Sequence, residues 1–131
     1  PYMSKEDIFR VLNDIGISRP RLYDMGFSHN NCGGFCCKAG QGHFANLLQK
    51  MPERYAYHEK KEEEMRNYLG KSVAILKKQK NNRTYPYSLK QLREDIEKKS
   101  DQIDLYDIGG CGCFIEESRC EYIVTYKTSV S

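Results

Sequence analysis

No apolar run in this sequence approaches the roughly 18 to 20 residues that a bilayer-spanning helix needs, which excludes an ordinary membrane anchor. The opening stretch "PYMSKEDIF" lacks the basic region and the apolar block of a secretion signal, so a cytoplasmic protein with no membrane partner is expected. There is no internal repeat and no low-complexity linker, which argues against solenoids and disordered tethers. Tryptophan is missing altogether, and ten tyrosines supply much of the aromatic surface instead. A large excess of one charge is missing too: the net charge of +3 does not by itself imply a nucleic-acid partner.

The 131 residues fit one domain, able to bury roughly two-thirds of the unfolded surface. With a mean hydropathy of −0.75 the core should be modest. Something besides apolar burial is therefore expected to help hold the chain together.

The elements read as mainly helical with a few short strands, an α+β class. Ser4 can cap a helix through "KEDIFRVLNDIG", because Asp7 stands at the capping-box offset, and Ile8, Phe9, Val11, Leu12 and Ile15 form an apolar face for a core. "ISRPRLYDMGF" breaks the pattern at Pro20 and Gly26 and reads as extended or turning. A helix resumes near Gly42 with Phe44, Leu47, Leu48 and Met51 at helical spacing, and Pro52 suits the first turn of the next. That helix, "PERYAYHEKKEEEMRNYLG", carries Glu62 four residues before Arg66, ends at Gly70, and is expected to turn its charges to solvent. In "SVAILKKQKNNRTYPYSL", Val73, Ile75 and the "NN" of Asn81 and Asn82 favour a short strand and a turn over the alternative of a continued helix. Ser88 and Gln91 form a capping box for "LKQLREDIEKKS". The β-branched tail "EYIVTYKT" is a further strand candidate.

Chemistry concentrates in "HNNCGGFCCKAGQG", residues 29 to 42, which holds three of the six cysteines. A phosphate loop would need a Lys-Ser/Thr pair opening a helix, and Lys38 follows Cys37 without one. Six cysteines allow 15 disulfide pairings, but a cytoplasmic chain with clustered cysteines more often uses them for metal or redox work. Cys32 and Cys36 flank a turn able to aim two thiolates at one ion, and "GGCGCF" offers Cys111 and Cys113 as a second close pair. Four thiolates suit zinc or an iron–sulfur cluster and would tie the N-terminal loop to the C-terminal segment. Cys37, beside Lys38, is the candidate reactive thiol, and Cys37 and Cys120 are alternatively extra ligands or buried small residues.

The stretch "RLYDMGFSHNNCGGFCCKAGQ" (21 to 41), followed by "MPERYAYHEKKEEE" and by "GGCGCF", resembles the C-terminal portion of phosphoadenosine-phosphosulfate-reductase-like proteins of the adenine nucleotide alpha-hydrolase, or PP-loop, superfamily. Cys32 and Cys36 match the family motif in "GFSHNNCGGFC", and Cys111 and Cys113 match its terminal "CGC". The resemblance implies part of a nucleotide-dependent sulfurtransferase or reductase-like enzyme, not active alone, in which these cysteines hold an iron–sulfur cluster in some branches. ATP or an adenylylated nucleotide would bind only with a nucleotide-binding half carrying an "SGGxDS"-type loop, which this sequence lacks. The chain is thus expected to be the C-terminal region of a longer enzyme, working with that half or a partner protein. By the same likeness His29, Asn30, Asn31 and Lys38 would face the active cleft and meet anionic groups. The sequence departs from relatives at Cys37, at Ile115, and in lacking the "ECG" redox cysteine of sulfonucleotide reductases.

A different reading rests on composition. Residues 71 to 93 hold seven basic side chains and no acidic one. With Tyr85 and Tyr87 available for stacking, they fit a metal-stabilised nucleic-acid-binding module.

Overall fold

The computed structural model describes residues 2–28, 30, 32–99, 103–107 and 109. The fold is mainly helical, with one small antiparallel sheet. It divides into two compact units, Pro1–Gly34 and Phe35–Ser131. The tail strand candidate, Cys111, Cys113 and Cys120 lie outside the described residues.

In the first unit, α1 (Lys5–Asp14) starts where its cap dictates: the Ser4 hydroxyl accepts the Asp7 N–H at 3.1 Å and donates to the Asp7 carboxylate at 2.7 Å. That bond, with Arg10 nearby, holds the Asp7 carboxyl below its ordinary range. The helix stops ahead of Gly16, whose φ of +78° is the left-handed conformation that closes helices. Of the apolar face expected for α1, Phe9 and Leu12 are half-buried. Ile8, Val11 and Ile15 are all exposed, and the helix has no buried residue. Within this unit Leu22 and Phe27 are the buried apolar side chains among the described residues. The segment expected to be extended or turning contains a single helical turn, α2 (Arg21–Asp24), begun by Pro20 and ended at Met25. Tyr23 meets Phe9 edge-on at 4.9 Å and lies under the Lys5 ammonium at 4.4 Å.

The second unit packs α3 (Gln41–Lys50), α4 (Pro52–Leu69) and α5 (Leu89–Glu97) around one core, with the hairpin of β1 (Leu76–Lys80) and β2 (Arg83–Tyr87) beside it. Phe44 and Leu47 from α3, Tyr55 from α4, and Leu89 and Leu92 from α5 are fully enclosed. Each such side chain contributes about 1.5–3 kcal/mol of apolar burial. Pro52 opens α4, and Gly70 closes it in the left-handed conformation. The Ser88–Gln91 capping box forms completely at the start of α5. Asn81 and Asn82, with φ of 52° and 57°, make the two-residue turn whose twist matches the paired strands.

The charges of α4 do not all face water. Glu62 is buried, and its two carboxylate oxygens accept the N–H of Ile75 at 2.8 Å and of Leu89 at 2.6 Å. It thereby ties α4 to the segment entering β1 and to the start of α5. The Tyr55 hydroxyl donates to the Leu89 carbonyl at 2.6 Å, and burial pushes that phenol far above its ordinary pKa. Nearer the surface, Arg93 grips Glu59 with two bonds of 2.9 and 3.0 Å.

Candidate metal centre

The cysteine loop straddles the division between the units, with Cys32 in the first and Cys36 and Cys37 in the second. Cys32 and Cys37 are exposed and Cys36 is half-buried, and none of the three is in a disulfide. Gly33 and Gly34 have φ of 56° and 88°, conformations that favour glycine, so the chain turns sharply between Cys32 and Cys36. Asn30 is half-buried and its carbonyl accepts the Gly33 N–H at 3.3 Å. Lys38 is exposed. His29 and Asn31 lie outside the described residues.

Beyond Cys37 the loop is fixed by a distant piece of the chain. Ala39 pairs with Gly109 in an isolated antiparallel bridge. The strap of residues 103 to 107 is bonded to the start of α3 beside it. The Asp107 carboxylate accepts the Gln41 N–H at 3.2 Å, and the Asp107 carbonyl accepts the Gly42 N–H at 2.8 Å. The other Asp107 carboxylate oxygen takes the Gly109 N–H at 3.0 Å. Gln41, buried, accepts the Asp104 N–H at 3.2 Å and donates to the Lys77 carbonyl of β1 at 3.4 Å.

These contacts explain the loop's glycines. A Cβ at Gly40 would collide with the Asp107 side chain, one at Gly42 with the Leu105 carbonyl, and one at Gly109 with the backbone of Lys38 and Gly40. The glycines allow two backbones to touch. The N–H groups that open α3, which in a phosphate loop would face an anion, are met by the chain's own Asp107.

On the other side of Cys36, Phe35 is sandwiched between aromatic neighbours. It stacks on His58 of α4 at 3.8 Å between ring centroids and meets Phe44 edge-on at 5.7 Å. Burial, helped by the nearby Arg54, pushes the His58 pKa below its ordinary value and favours the neutral ring.

Among the described residues no three His, Cys, Asp or Glu side chains form a group able to hold a metal ion. Thiolates are soft ligands of the kind that zinc and iron–sulfur centres take. Asp107, Gln41, Glu62 and His58 are the residues that sequence reasoning passed over. Only Glu62 left a signal, standing seven residues after Tyr55 and so on the same inward helix face. No protein-family model, curated protein or solved structure matches the chain.

Proposed function

We propose that this chain is the cysteine-liganded C-terminal region of a PP-loop sulfurtransferase or phosphosulfate-reductase-like enzyme, inactive by itself. Cys32, Cys36, Cys111 and Cys113 hold zinc or an iron–sulfur cluster. His29, Asn30, Asn31 and Lys38 serve an anionic substrate held against a nucleotide-binding half.

The observation that supports this reading is the Ala39–Gly109 bridge with its Asp107 clasp. Ala39 stands two residues after Cys37 and Gly109 two residues before Cys111 in the sequence, and two residues of chain reach at most about 7 Å. The bridge thus brings the segment that follows the cysteine loop beside the segment that leads into "CGC" in the sequence. The apolar side of α1, with Ile8, Val11 and Ile15 exposed, is surface of the kind that a second domain covers.

The test is metal analysis of anaerobically purified protein. About one equivalent of zinc, or the iron of one cluster, is expected per chain, with Cys32→Ser, Cys36→Ser, Cys111→Ser and Cys113→Ser each removing most of it. Less than about half an equivalent in the unaltered chain, with thiols titrating normally, overturns the proposal.

A further inference from the structure

The basic segment of residues 71 to 93 is not uniform in three dimensions. Its two half-buried cations are committed to carboxylates: Arg93 to Glu59 and Glu97, and Lys78 to Asp95 at 3.5 Å while lying over the Tyr87 ring. Tyr87 is itself only 4% exposed and donates to Asp95 at 2.6 Å, so it cannot stack on a ligand. What remains free is the outer part of the hairpin. Lys77, Lys80 and Arg83 are exposed and, among the described residues, have no carboxylate partner. Tyr85 is 47% exposed.

The register sharpens this. Lys80 lies directly opposite Arg83, and Lys78 directly opposite Tyr85. Residues directly opposite one another share a sheet face, so Lys80, Arg83 and Tyr85 stand together on one face. Lysines on an edge strand discourage unwanted sheet pairing, but a Lys–Glu pair would do that and gain stability. Two opposed cations at the turn cost stability instead, which a bound polyanion would reverse. A flat aromatic ring beside them adds affinity only for an anion that carries bases free to stack.

We propose that the tip of the β1–β2 hairpin binds single-stranded nucleic acid, with Lys80 and Arg83 on phosphates and Tyr85 stacked on a base. This surface does not depend on the cysteine ligands, so failure of the metal reading leaves it standing.

The test is fluorescence anisotropy with the full chain and a labelled oligothymidylate of about 12 nucleotides. Binding is expected at about 50 mM salt and should weaken about sevenfold at about 200 mM, as two phosphate contacts on a single strand require. The K80A/R83A double variant should bind more weakly and with a shallower salt slope. Tyr85→Ala should weaken binding about fivefold or more while Tyr85→Phe restores it. Lys90→Ala, on the α4 side of α5, should change little. Circular dichroism checks that each variant remains folded. No binding at the lower salt, unchanged binding by K80A/R83A, or equal binding of the matched duplex or of base-free inorganic polyphosphate overturns the proposal.

Discussion

At the residue scale, the most consequential side chain of the second unit is a carboxylate. Removing Glu62 would leave the Ile75 and Leu89 N–H groups without their acceptors, and each orphaned donor costs about 1–3 kcal/mol. Glu62→Ala should therefore lower stability by about 2–5 kcal/mol in denaturant unfolding. Glu62→Gln should lie between, because its single carbonyl oxygen cannot serve both donors as two carboxylate oxygens do. His58 gives a pH signature. Its folded pKa is lowered below 6.5, so the unfolded chain binds more protons once the pH falls below that value. The stability linked to His58 is full above about pH 6.5 and is lost as the pH falls toward the folded pKa, and His58→Phe should flatten that slope in acid titrations of unfolding. Residues whose partners lie close in sequence were legible in advance: Ser4 with Asp7 and Ser88 with Gln91. Glu62 was not, since its partners lie 13 and 27 residues away and its neighbours on α4 are solvated acids and lysines.

At the scale of elements, local signals served well wherever a helix had its own punctuation. Pro52, Gly70 and the α5 capping box bound their helices as expected, and the two asparagines mark the hairpin turn. The strands beside that turn were less legible because "LKKQK" and "RTYPY" carry few apolar residues, and only Leu76 and Tyr87 enter the core. The strap was illegible for a plainer reason. Asp107 meets Gln41 across 66 residues, and no periodicity announces such a pairing. The strap also supplies a decisive variant. Gly42→Ala and Gly109→Ala push a methyl group into backbone atoms, so each should displace the strap while α3, α4 and α5 keep their packing. Near-unchanged helical circular dichroism with a loss of more than about half the bound metal is the expected result. It is read by plasma mass spectrometry on the same samples.

At the scale of the whole molecule, no described helix is long and apolar enough to cross a membrane. Among the described residues the second unit has a small core, and the cysteine loop from Phe35 onward meets its margin through the Phe35 ring against His58 and Phe44 and through hydrogen bonds to the strap. Such a margin is where a metal adds most, since thiolate coordination can contribute about 10 kcal/mol that the modest core does not. Chelation is accordingly expected to loosen residues 30 to 42 and 103 to 109 first, seen as faster amide exchange there than in α4 and α5. The central claim is that one centre is shared by the two cysteine pairs. X-ray absorption at the zinc or iron edge of the purified protein tests it directly, because it counts sulfur neighbours. The account predicts about four sulfurs per metal at about 2.3 Å, falling in each of Cys36→Ser and Cys111→Ser by about one for a single zinc and by about a half or a quarter per iron for a two- or four-iron cluster. A shell of nitrogen and oxygen alone, or an unchanged sulfur count in either variant, would contradict it.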